Sequence, residues 1–226
     1  HTLMPRARAE SQMRLLARLH GQGYANPRIR EAMQALPTWP EFFKKTEGFG
    51  IETIANNGFL AAEEVIPARL FRRYEEYWPL SLQSVALHND LPHTVSHGDV
   101  HLKNWYIAGN GEMGLGDWQC VTRGHWARDV CYAIGSALST DDRRAWEQDL
   151  LRLYLAEMER EGGPKVAFDE AWLHYRQQLL TALVWWTLTL TPGDDLPDMQ
   201  PRDITLEMVR RLAVATDDCD SFDAFA

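Results

Sequence analysis

The chain has 226 residues, of which 45% are hydrophobic and 24% charged, ordinary values for a globular protein with one sizeable core or two small ones. Its net charge of −9 excludes broad contact with nucleic acid, which requires clustered Lys and Arg, and suits either a solvated acidic surface or a cationic small substrate. Three widely spaced cysteines with no CxxC pair exclude a zinc knuckle or a disulfide framework and point to a reducing cytoplasm.

Pro5 introduces a helix over Arg6–His20, with Gly21 and Gly23 read as its stop. A short helix follows Pro27, and Pro37 and Pro40 break the chain again. Residues 41–60, with Gly48, Gly50 and Gly58, read as an irregular excursion. Two further helices are expected over Pro67–Tyr77 and Leu80–Asn89. The texture then changes: Thr94–Ser96 and Trp105–Ala108 are short β runs, and GNGE at 109–112 is a turn before MGLGDW, which together predict a small hairpin. From His125 the pattern is helical, over His125–Leu138, then from a Ser139 or Thr140 cap to Arg160, over Asp169–Leu190 and over Asp203–Ala215. TPGDDLPDMQP is a loop, and the acidic tail 217–226 is expected to fray. The apolar run 179–190 is too short and too rich in threonine to span a membrane, and HTLMPRARAE has no apolar core of a secretory signal. The fold class is α+β and predominantly helical: 1–91 helical, 92–124 a hairpin carrying the chemistry, 125–216 helical.

The chemistry-bearing stretch is HGDVHLKN at 97–104, followed by GLGDWQ around Asp117. One reading is a metal site. His97, Asp99 and His101 alternate and would share a face of an extended strand, although Gly98 disfavours a regular strand there. The other is phosphoryl transfer, which needs a carboxylate for the attacking hydroxyl and oxygen ligands for the magnesium that neutralises a triphosphate. Asp99 and Asn104, five residues apart, supply the first and one ligand; Asp117, past the hairpin turn, supplies a bridging carboxylate. An aspartate in a loop is more often a cap or turn former, so the joint spacing carries this reading.

HGDVHLKN resembles the HGDxHxxN motif of the aminoglycoside phosphotransferase and choline kinase-like family, and Asp117-Trp118-Gln119 resembles its metal motif. RGHWARDVCYAIGSAL is similar to the following family segment, with Asp129 in the place of its aspartate. The resemblance implies a protein kinase-like fold and an ATP- and Mg²⁺-dependent cytoplasmic kinase of a small hydroxyl compound. It makes Asp99 the catalytic base and Asn104 and Asp117 the magnesium ligands. His97 and Asp129 become structural supports, His101 carries no assigned task, and Lys103 is expected to face solvent.

LARLHGQGY at 16–24 resembles the first helix of the family's larger lobe. No Gly-rich phosphate loop precedes residue 92, and none of Lys44, Lys45, Lys103 and Lys165 sits in a strand before a helix. The chain therefore reads as a C-terminal lobe whose N-terminal lobe is a missing partner. A catalytically silent binding module and, behind it, a His/Asp metallohydrolase are the alternatives. Trp146, Trp172, Tyr175, Trp185 and Trp186 read mainly as core rather than as a cage for a quaternary ammonium. Asp141, Asp142, Asp194 and Asp195 would attract an amino sugar, although the first two fit a helix start.

Overall fold

The computed structural model describes residues 4–192 and 199–225, so Asp194 and Asp195 lie outside the described residues. Ten helices and four short strands are present among them. Helix α1 (Arg6–Ala25) is followed by α2 (Pro27–Ala32), α3 (Trp39–Glu47), α4 (Ile51–Ala61), α5 (Ala68–Phe71) and α6 (Tyr74–Ala86). Strands β1 (Thr94–Ser96), β2 (Trp105–Ile107), β3 (Met113–Leu115) and β4 (Thr122–Gly124) come next. Helices α7 (Ala127–Ala137), α8 (Thr140–Arg160), α9 (Phe168–Leu190) and α10 (Arg202–Asp218) complete the chain.

Helix α7 is the centre: every one of its residues is buried, and it packs on α9, α10, α1 and α8. Helix α9 touches α4, α6, α7 and α10, which is why its sequence is apolar on nearly every face. Ser139 caps α8 by accepting from the Asp142 N–H, so Asp141 and Asp142 are first-turn residues of that helix.

The predicted hairpin is β2 paired antiparallel with β3, Tyr106 opposite Gly114. A second pairing was not legible in the sequence. Strand β1 pairs antiparallel with β4, Val95 opposite Arg123, and so closes the ends of the segment 97–121.

Several expectations are corrected. Helix α1 runs through Gly21 and Gly23, and α4 runs through Gly58. These glycines mark contact rather than chain reversal: a Cβ on Gly23 would lie 2.1 Å from Thr94 Oγ1, and one on Gly58 would lie 1.8 Å from the Thr187 carbonyl oxygen. The segment 41–60 is two helices, the first fixed by a capping box in which Glu41 N–H donates to Thr38 Oγ1 and Thr38 N–H donates to the Glu41 carboxylate. Helix α6 continues through Pro79, which leaves the Glu75 carbonyl without its intrahelical donor; Glu75 and Pro79 are both exposed. The acidic tail is held rather than frayed. Phe222 is buried beneath the Arg73 guanidinium, Gln177 Nε2 donates to the Ala224 carbonyl, and Arg69 and Arg73 pair with Asp217 and Asp223. The aromatic reading holds for most rings: Tyr175 and Trp186 are buried, and Trp146, Trp172 and Trp185 are partly buried against the same core. Among the described residues no helix is long and apolar enough to cross a membrane.

Candidate active site

Asp129 stands in the first turn of α7 and is wholly buried. Its carboxylate accepts four hydrogen bonds: from Ser96 Oγ at 3.0 Å, the His97 N–H at 2.7 Å, the Gly98 N–H at 2.9 Å and His20 Nε2 at 3.2 Å. Burial alone would raise its pKa, but His20, Arg128 and His97 together hold it below the usual carboxylate range. The loop that leaves β1 is thereby tied to the end of α1 and the start of α7. Gly98 occupies the left-handed region at φ 85°, and a Cβ there would meet the Cys120 carbonyl oxygen at 2.4 Å.

His97 uses both ring nitrogens internally. Nε2 lies 2.8 Å from the Gly116 carbonyl oxygen, to which it donates, and Nδ1 accepts from the Asp99 N–H at 3.2 Å. It therefore ties the loop to the strand end before Asp117 and presents no free lone pair to a cation. Among the described residues no three His, Cys, Asp or Glu side chains are grouped to hold a metal ion.

The Asp99 carboxylate is reached by three neighbours. Tyr132 Oη donates to Oδ1 at 3.2 Å, Asn104 Nδ2 donates to Oδ2 at 3.2 Å, and His101 Nε2 lies 3.5 Å from Oδ2. Burial raises the Asp99 pKa, yet His101, Tyr132 and the Arg128 guanidinium outweigh it, so the group stays below the ordinary aspartate value and is ionised at neutral pH. Asn104 also donates to the Asp99 carbonyl at 2.8 Å, which fixes its amide and leaves its Oδ1 unspent by these bonds. Asp117 adopts the left-handed region at φ 57°, a conformation aspartate tolerates at modest cost, and does not cap the 3₁₀ turn that follows it.

Asp99, Asn104 and Asp117 line one cleft of about 450 Å³, together with His101, Tyr132 and Trp185. The oxygens of Asn104 and Asp117 are the hard donors that a magnesium ion takes, so the residues present fit that ion. Lys103, expected to face solvent, is exposed but directs its ammonium to Gln200 Oε1. His101, given no task by the sequence, caps the 3₁₀ turn Leu102–Asn104 through Nδ1 and stands edge-on to Trp186. Cys120 also lines the cleft, but burial pushes its thiol up to about 11, so it remains protonated.

Sequence reasoning missed Tyr132, His20 and Arg128. Tyr132 lies three residues beyond Asp129 and so shares its helix face, a signal that was available. His20 is 109 residues from Asp129, and nothing local marks that pairing. Arg128 is 2% exposed; its guanidinium lies 3.6 Å over the Trp39 ring, and Nε and Nη1 have no hydrogen-bond partner among the described residues.

The model of the phosphotransferase enzyme family matches residues 4–167, and the chain belongs to that family. Among solved structures it is similar to the choline kinase LicA from Streptococcus pneumoniae, with 12% sequence identity and a TM-score of 0.46. That alignment covers 93% of this chain and 64% of the choline kinase, so the chain spans less than two thirds of that protein's length. No curated protein matches it significantly in sequence.

Proposed function

We propose that the chain is the C-terminal lobe of an ATP-dependent kinase acting on the hydroxyl group of a small molecule. The observation that carries this reading is the convergence of Asp99, Asn104 and Asp117 on one cleft, with Asp99 ionised. In the proposed reaction the acceptor oxygen forms a bond to the γ-phosphorus of ATP as the bond from that phosphorus to the ADP oxygen breaks. Asp99 orients the hydroxyl and takes its proton, held in place by Tyr132 and Asn104. Asn104 and Asp117 would hold magnesium, which when bound offsets the phosphate charge. His97 and Asp129 keep the loop in shape and touch no reactant.

Support for the one-lobe reading lies in the order of elements. Among the described residues no strand precedes Thr94, whereas the family's nucleotide cradle is strand-rich and comes first. Tyr106 and Ile107, 56% and 51% exposed on β2, border a groove of about 760 Å³ lined by apolar Met4 and Met113 and by charged Arg8, Asp203 and Arg211, a mixed surface for an upstream lobe. Three free thiols suit a cytoplasmic setting.

The test is Asp99→Ala in the protein carrying its upstream polypeptide, with turnover measured over a panel of hydroxyl compounds. Loss of a positioned base should lower kcat by about 10²–10⁴-fold. Unchanged turnover would remove Asp99 from the mechanism.

A further inference from the structure

The cleft that holds Asp99 does not end at the loop. Trp185, Leu188 and Met199 form its far wall and also line a second cavity of about 170 Å³, bounded by Phe49, Ile51 and Ile54. The two spaces thus adjoin, sharing these three side chains, with the inner one at the Asp99 carboxylate and the outer one beside α4 and α9. Their character differs. The acidic and basic side chains, Asp99, His101, Lys103 and Asp117, are all contributed by the segment 99–117, at one end, with the Cys120 thiol and the Tyr132 phenol beside them. Among the described lining residues of the outer cavity the one polar side chain is Thr46, and none is charged. Phe49 is 65% exposed at the mouth, more than any other large hydrophobic residue described, with no role in the core.

This lining discriminates between acceptors. Among the described lining residues, an ammonium group placed beyond Leu188 meets no carboxylate, so this lining offers an amino sugar no counter-charge. Asp141 and Asp142 line neither space. A quaternary ammonium needs several open ring faces, but Trp186 and Tyr132 are 4% and 2% exposed, and Trp185 already stacks on Phe43 and meets Trp39 edge-on. An apolar body, by contrast, gains roughly fourfold in affinity for each methylene it buries.

Building on the kinase reading above, we propose that the acceptor is an alcohol with an extended apolar body. Its hydroxyl meets Asp99, and its body lies along Trp185, Leu188 and Met199 toward Phe49 and Ile54. The hydroxyl oxygen gains the phosphoryl group of ATP, its proton passes to Asp99, and ADP leaves.

Binding is tested on this chain by calorimetry and saturation-transfer NMR with 1-decanol, choline and kanamycin as probes. Decanol should bind, with saturation strongest at its distal methylenes, and choline and kanamycin should not. Leu188→Asp should weaken decanol binding more than tenfold. Phe49→Asp, at an exposed position, should weaken it severalfold and serves if the first variant does not fold. Leu60→Asp, exposed on α4 outside both spaces, should leave it unchanged. Decanol binding that survives both Leu188→Asp and Phe49→Asp, or choline or kanamycin binding in its place, overturns the proposal. Phosphorylation assays on the protein with its upstream polypeptide separate the two readings. Transfer to kanamycin or choline but not decanol keeps the kinase reading and defeats this one. Decanol bound there with no acceptor phosphorylated keeps the alcohol site and defeats the kinase reading.

Discussion

His88 shows how a single buried side chain makes this fold sensitive to acid. Its ring is wholly buried, with Nε2 on Gln178 Oε1 at 2.9 Å and Nδ1 accepting from the His125 N–H at 2.9 Å, an arrangement that specifies the neutral imidazole. Burial pulls its pKa down to about 3, whereas the unfolded chain titrates near ~6.5. Between those values the unfolded state carries a proton that the native state refuses. Stability therefore falls as pH drops through that window, by about 1.4 kcal/mol per pH unit. Asp129 acts in a lower window: its folded pKa is depressed, so its contribution is complete above the unfolded value near ~4 and is lost as pH falls further. Urea unfolding at pH 5 should give a free energy about 2 kcal/mol below that at pH 7 from His88 alone. Equal values at the two pH settings would mean that the native state admits the proton.

At the scale of elements, contact rather than propensity decides where helices run. Gly58 lies inside α4 against the backbone of Thr187 in α9. Alanine is the better helix former by about 1 kcal/mol, so propensity alone predicts that Gly58→Ala stabilises the protein. Backbone cannot accept a Cβ 1.8 Å from a carbonyl oxygen without separating the two helices, and the substitution should instead destabilise by about 2 kcal/mol or more. A thermal melt gives the sign directly, and a raised Tm would refute the close-contact account. The same distinction explains what the sequence concealed. Glycine reads alike whether it turns the chain or lets two backbones meet, so Gly21, Gly23 and Gly58 looked like punctuation. HGDVHLKN was readable because Asp99 and Asn104 act within five residues of each other, a separation that local spacing records. The pairing of β1 with β4, and the buried partnership of His20 with Asp129, join distant segments and left no local trace. The tail misled for a different reason: its aspartates read as solvated, but their partners Arg69 and Arg73 lie far upstream.

On the scale of the whole molecule, the proposed nucleotide site has only one wall among the described residues. Asn104 and Asp117 offer magnesium two oxygen-bearing side chains, and among the described residues no lysine stands on a strand that could grip the α- and β-phosphates. Calorimetry on the 226-residue chain should therefore show ATP–magnesium binding no tighter than millimolar; sub-millimolar affinity would contradict the one-lobe reading. The Asp129 carboxylate has a further consequence for this architecture. It gathers the backbone amides of His97 and Gly98 and, through His20, the end of the first helix. A loop bound in this way to both ends of its core cannot fray by itself. In deuterated buffer the amide protons of His97 and Gly98 should exchange only when the whole molecule opens, as slowly as those in the middle of α7, unlike those of most surface loops. Exchange at the rate of the exposed turn 109–112 would show that the loop opens on its own. Two amides beside the proposed catalytic aspartate thus become a clock for the unfolding of the entire chain.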